Sequence, residues 1–277
     1  MAGQTFLEQG STSTDYRKSR FVVLPVPYEA TTTYGKGTKN GPAAIIAASK
    51  ALEGFDEELL VDVARKEGIY TSEPCNVEGL KCNVEKVLEK EKVPVILGGE
   101  HSITAYALEP FAKKYKNLSV LQLDAHADLR DSYHGSKYNH GCVMHRVLEF
   151  CPAVQVGIRS ISEAEYVNAK RTKQLEKIHF ANKLLPTKKI LNQLSQDVYI
   201  TIDVDVFDPS IVPATGTPEP GGLTWQQVLD ILKAVCANKN VVGFDVVELS
   251  PRKGDIASDF TAAKLVYKLI GFVTTKS

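Results

Sequence analysis

Leu118–Asp128 reads LSVLQLDAHAD. LSVLQL is an apolar run without regular polar alternation, which is how a strand covered on both faces reads. The run then breaks into Asp124, His126 and Asp128, each two residues apart. Ligands of open parallel sheets sit beyond the carboxyl ends of the strands. A buried strand that ends in two carboxylates and an imidazole therefore predicts a parallel sheet with a site at its edge.

Working outward, similar runs occur at Phe21–Pro27, Val93–Leu97, Val154–Ile158, Val198–Val204 and Val241–Val247. Helical patterns lie between them. Gly41–Glu53 begins with Gly-Pro, Val77–Lys92 has apolar residues near helical spacing, and Thr224–Ala237 starts at an N-cap threonine. Ile256–Ile270 is expected to close the chain as a helix. Strands alternating with helices predict one α/β domain with a mainly parallel central sheet. No internal repeat or Gly/Ser linker divides it. Residues 1–18 are expected to form a loosely held arm, and residues 19–277 a single catalytic domain.

The bulk numbers exclude several classes. The chain has 277 residues, 43% hydrophobic and 24% charged, ordinary for a soluble globular protein. Its 33 basic and 33 acidic residues cancel, so no basic excess suggests nucleic acid. No stretch approaches the roughly 18 apolar residues of a membrane span. The polar first 20 residues carry no signal-peptide core. Five cysteines without paired spacing read as reduced thiols, which predicts a cytoplasmic protein.

Four strand ends carry unusual chemistry. Val93–Leu97 runs into GGEHS with His101, and Leu118–Leu123 into DAHAD. Val198–Val204 carries Asp203 and continues to Asp205, and Val241–Val247 is followed by Glu248. Residues two apart on an extended chain share a face, so Asp124 and His126 can converge, as can Asp203 and Asp205. Asp128 joins them if the chain stays extended or curls back. Like charges this close destabilise a fold unless a cation sits among them. Four carboxylates and two imidazoles suit two divalent ions, and oxygen-rich ligation favours manganese. Such a centre lowers the pKa of a water and makes a nucleophile for hydrolysis. Phosphoryl transfer is disfavoured, because no GxxxxGK[ST] occurs and no Lys/Arg cluster adjoins the motifs.

GGEHS, DAHAD, a downstream HG, DVDVFDP with ATGTPEPGG, and GFDVVELSP occur in that order, after an upstream GKGTKNGPAAI. In this the sequence resembles the ureohydrolases, the arginases and agmatinases, over nearly its whole length. The resemblance implies a three-layer α/β/α sandwich, two Mn²⁺ per chain and a homo-oligomer, trimer or hexamer. It implies that His101, Asp124, Asp128 and Asp203 bind one ion and Asp124, His126, Asp203 and Asp205 the other, with Asp124 and Asp203 bridging. It gives His140 to proton transfer at the pocket and Glu248 to the substrate guanidinium, whose planar fork suits a carboxylate. The implied reaction is attack of a metal-bridging hydroxide on a guanidino carbon, with Asp128 and His140 moving the proton, giving urea and an amine.

Between DAHAD and the HG, arginases have a Ser/Thr/Asn-rich loop that holds the α-amino and α-carboxylate groups of arginine. Here the loop is LRDSYHGSKYN, which resembles the agmatinases, as does TPEPGG. The substrate expected is agmatine, converted to putrescine and urea in polyamine biosynthesis. N1-aminopropylagmatine, a guanidino acid and arginine are the alternatives. Asp131 and Glu219 would favour a positive tail. His134, His145, His179, Cys142 and Trp225 are read as solvated or packing residues. Two further readings differ in kind. A one-zinc deacetylase shares a related fold but would not need both His101 and Asp128. An inactive metal-binding regulator would lack a ligand or Glu248.

Overall fold

Phe21 and Val23 enter one hydrophobic core, while Val22, Leu24 and Val26, alternating with them, enter another. A strand does this only when both its faces are covered. The computed structural model describes residues 5–7 and 15–275. β1 (Phe21–Val26) leads into α1 (Gly41–Ser49), then a short hairpin of β2 (Phe55–Asp56) and β3 (Val61–Asp62), α2 (Val63–Glu67) and β4 (Ile69–Thr71). Next come α3 (Val77–Glu89), β5 (Val93–Gly98), α4 (Ile103–Lys114) and β6 (Leu118–Leu123). A long loop precedes α5 (Val143–Leu148), β7 (Ala153–Ile158), α6 (Glu163–Arg171), β8 (Ile178–Phe180) and α7 (Thr187–Gln193). β9 (Asp197–Asp203), α8 (Trp225–Asn238), β10 (Asn240–Val247) and α9 (Ala257–Thr274) complete the order.

Eight strands form one sheet in the order β4-β1-β5-β10-β9-β6-β7-β8, with every pair parallel. Helices α1, α2, α7, α8 and α9 pack on one face and α3 to α6 on the other. This is the expected three-layer α/β/α sandwich. Thr224 caps α8 through a capping box with Gln227. The two edge strands β4 and β8 have three residues each, too short to show a period in the sequence. The expected arm falls largely outside the described residues. Within them, Phe6 and Leu7 are buried, and their backbone N–H groups donate to Thr71 and Ser49 side chains. Among the described residues no helix is long and apolar enough to cross a membrane.

The strand order positions the site. β5, β10, β9 and β6 are consecutive across the sheet centre. Their register pairs Val246 with Leu97, Val247 with Asp203 and Ile202 with Leu123. The four segments that carry the ligand-type side chains therefore end at one level, side by side.

Candidate active site

At that level the chain crowds. Gly99 lies so close to Tyr28 that a Cβ there would sit 1.9 Å from its carbonyl oxygen, which explains the second glycine of GGEHS. The tight turn puts His101 at the start of α4 with its ring buried. Nδ1 of His101 lies 3.1 Å from Asp124 Oδ2, 3.3 Å from Asp128 Oδ2 and 3.7 Å from Asp203 Oδ2. Nδ1 of His126 lies 2.9 Å from Asp205 Oδ2 and 3.7 Å from Asp124 Oδ1. Two candidate ligand sets result, His101–Asp124–Asp128 and Asp124–His126–Asp205, sharing Asp124. Asp203 adjoins the first through His101 and accepts from the Asp205 backbone N–H. Asp128 reaches the group because its φ is +52°, a backward curl of the chain.

A cavity of about 140 Å³ opens over these groups. His101, His126, Asp128, Asp203 and Glu248 line its floor, and His140, Arg130, Tyr133 and residues 32–35 line its walls. Glu248 has φ +65°, and its Oε1 accepts from the His101 backbone N–H at 2.7 Å. Thus all eight residues singled out in the sequence gather around one small volume.

Side chains beyond those eight hold the ligand-type groups in place. Nε2 of His101 meets Thr201 Oγ at 2.8 Å, and Thr201 donates to Asp245 Oδ1 at 2.6 Å. Gln122 donates to Asp124 Oδ2, and Gln155 donates in turn to Gln122. The Arg159 guanidinium donates to the backbone carbonyls of Asp205, Phe207, Glu219 and Pro220, tying the end of β9 to the TPEPGG segment. Such residues have a signal only as polar positions inside apolar strands: Gln122, Gln155, Thr201 and Asp245 all interrupt buried runs.

The donor arrangement tests the fit of a cation. Thr201 gives its proton to Asp245, so it accepts from His101 Nε2–H. A neutral ring would present a lone pair on Nδ1 to carboxylate oxygens. Burial opposes charge on this ring, but Asp124 and Asp128 hold its pKa well above the ordinary value, so a proton takes that place without a metal. Acceptors facing acceptors need a proton or a metal ion between them. The titration behaviour points the same way. Burial and the Asp124 charge push Asp128 up to about 6. Burial and the charges of Asp205, Asp124 and Glu248 push Asp203 well above its ordinary value. Burial pushes Glu248 up to about 8. Burial opposes charge on His126, but Asp205 and Asp124 carry it up to about 12. Burial opposes ionisation of Asp124 as well, but the two imidazoles hold it below its ordinary value. The carboxylates thus rely on bound protons to offset their mutual repulsion, a place that divalent cations can take, and the ligand sets suit them.

The loop residues separate. Arg130 lines the cavity, stacked over Tyr133 at 4.6 Å and 3.9 Å from the Glu165 carboxylate. Asp131 is held instead by Arg146 at 2.8 Å, outside the cavity lining. Glu219 stands 3.9 Å from His126 Nε2. His145 Nδ1 is 3.1 Å from the Leu129 carbonyl, beneath the loop. His179 meets Gln193, Cys142 is buried, and Trp225 stacks on Phe207.

A parallel three-layer sandwich with six carboxylate and imidazole side chains gathered at its central strand ends is the arrangement that the resemblance to the ureohydrolase class implies. The chain belongs to the arginase family, whose sequence model matches residues 19–271. It is an amidinohydrolase, a C–N hydrolase acting on linear amidines. It is 38% identical to the N(1)-aminopropylagmatine ureohydrolase of Synechocystis sp., over 94% of this chain and 90% of that one. It is 40% identical to the enzyme of the same name from Thermus thermophilus, over 95% and 93%. The crystal structure of the agmatine ureohydrolase of Thermoplasma volcanium superposes with a TM-score of 0.83 at 31% identity, covering 96% of this chain and 93% of that one.

Proposed function

We propose that the protein hydrolyses the guanidino group of agmatine or its aminopropyl derivative to urea and a polyamine, with two manganese ions in the cluster. The observation that carries this reading is Glu248, a buried carboxylate in a strained backbone conformation at the edge of a carboxylate–imidazole cavity. A guanidinium is the cation whose planar fork matches it. His101, Asp124, Asp128 and Asp203 would hold one ion and Asp124, His126, Asp203 and Asp205 the other. When bound, such ions acidify water and polarise the carbon under attack.

The chain's own residues then have distinct tasks. Glu248 orients the guanidinium plane so that its carbon faces the ligand cluster. Asp128, on the cavity lining and 3.3 Å from His101 Nδ1, is placed to take a proton from water. Burial keeps the His140 ring low in pKa, so it is neutral and able to exchange that proton with the leaving amine. Cys75, Cys82, Cys142 and Cys151 are unbridged, which supports work in a reducing compartment such as the cytoplasm.

Agmatine and arginine differ by one carboxylate. Burying that anion without paired donors costs about 3 kcal/mol, a preference above a hundredfold. Arg130, whose guanidinium lines the cavity, is already engaged by Tyr133 and Glu165. The two relatives named for aminopropylagmatine favour a longer tail as a second reading. The test is kcat/KM for urea release from agmatine, N1-aminopropylagmatine and arginine under one manganese loading. Both polyamine guanidines should exceed arginine by about a hundredfold or more. Arginine as the best substrate would overturn the assignment.

A further inference from the structure

Glu100 is fully buried and belongs to none of the groups assigned above. Four donors converge on it. The backbone N–H groups of Ala30 and Thr31 reach Oε2 at 2.6 and 2.7 Å. The hydroxyls of Thr31 and Ser102 reach Oε1 at 2.8 and 2.5 Å. A carboxylate has about four lone-pair sites, so this one is filled by donors alone. Thr31 Oγ has one proton, and the Glu100 oxygen is both its nearer acceptor and the stronger one. Its two lone pairs then remain. The His140 backbone N–H donates into one at 3.0 Å, and His140 Nδ1 lies at the other at 3.1 Å. With the hydroxyl proton committed to Glu100, Nδ1 must be the donor.

We propose that Glu100 and Thr31 form a positioning relay that fixes the tautomer of His140, with the proton on Nδ1 and the basic lone pair on Nε2. The proposal deepens the reading of His140 as the proton carrier in guanidine hydrolysis and rests on it for its consequence. A ring with its proton on Nε2 could not accept there, whereas this ring takes a proton at Nε2 and returns it to the leaving amine. Thr31 also precedes residues 32–35 of the cavity wall, so the same hydroxyl ties that wall to His140.

The tautomer is read without any turnover. Side-chain ¹⁵N–¹H spectra are recorded on the full chain labelled at histidine and loaded with zinc as a diamagnetic ion, with His140→Asn identifying the signal. The wild type should show a protonated Nδ1 and an unprotonated Nε2. Thr31→Val, which keeps the shape and removes the hydroxyl, should shift the population towards the Nε2–H form. Thr31→Ser should restore the wild-type pattern. In manganese-loaded protein, Thr31→Val should lower kcat for urea release about tenfold or more with KM nearly unchanged, a size expected for impaired proton transfer. A wild-type ring protonated on Nε2, or a Thr31→Val spectrum identical to wild type, overturns the relay. A protein with the predicted spectrum that releases no urea from any guanidine would instead sink the functional reading and leave the relay standing.

Discussion

Asp128 and Glu248 share an unusual backbone, at φ +52° and +65°, although neither is glycine. Left-handed conformations cost a carboxylate residue of order 1–3 kcal/mol and persist where the surroundings over-determine them. At Glu248 the restraint is visible: its backbone N–H donates to the Gly99 carbonyl, and its side chain accepts from His101 N–H. The carboxylate is thus held before any substrate arrives. Glu248→Gln keeps the shape and removes the charge. It should reduce kcat/KM for guanidine hydrolysis roughly a hundredfold, the worth of about 2–3 kcal/mol in a charge-assisted pair, with metal content nearly intact. Asp124→Ala removes a side chain common to both ligand sets, so bound manganese should fall along with activity. Metal analysis beside the kinetics separates the two residues. Full activity in the Glu248→Gln protein would remove Glu248 from the pocket.

At the scale of elements, the site depends on how strand ends are tied to one another. Arg159 follows β7, yet its guanidinium serves β9 and the segment after it, at 2.6 Å to the Asp205 carbonyl and 2.7 Å to the Glu219 carbonyl. Gly157, two residues earlier, has φ +94°, and a Cβ there would lie 2.9 Å from the Asp124 carbonyl oxygen. The end of β7 is therefore pressed against both ligand-bearing loops. Arg159→Met should weaken manganese affinity about 10–100-fold, as loss of outer-sphere support does. Charged donors to buried carbonyls contribute about 1.5–3 kcal/mol each net, so thermal stability should fall by several degrees as well. Unchanged manganese titration in a folded Arg159→Met protein would show that the clamp does not support Asp205.

For the molecule as a whole, the cluster couples stability to pH. Asp128, Glu248 and His126 all have pKa values raised in the folded protein, to about 6, about 8 and about 12. A group raised by folding binds a proton on folding between its unfolded and folded values. Folding therefore weakens as pH rises through that window, by about 1.4 kcal/mol per pH unit for each proton. Chelator-treated protein should lose thermal stability from about pH 4.5, the unfolded glutamate value, to about pH 8. Manganese bound as proposed would displace those protons, so its stabilising effect should grow over the same range. Melting temperatures measured with and without manganese from pH 5 to 8 check this. A gap between the two curves that narrows as pH rises would contradict it.

Much of this architecture is local and so is written in the sequence. Largely apolar runs without regular polar alternation, such as Phe21–Val26 and Leu118–Leu123, declare strands buried on both faces, because solvation of a face requires polar alternation. Thr224 with Gln227 marks the start of α8, since capping is settled within four residues. The ligand-type residues were legible because each lies at the end of such a run, where a carboxylate is too costly to leave uncompensated. What the sequence could not determine are relations between segments far apart in the chain. Nothing local makes β5, β10, β9 and β6 neighbours; covering both faces of one twisted sheet decides that order. The same is true of side chains that act across it. Thr31 reaches His140 over 109 positions, and Asp131 turns to Arg146 rather than to the cavity. A polar side chain's partner is whatever the packed chain brings within hydrogen-bonding distance, and only tertiary structure decides that.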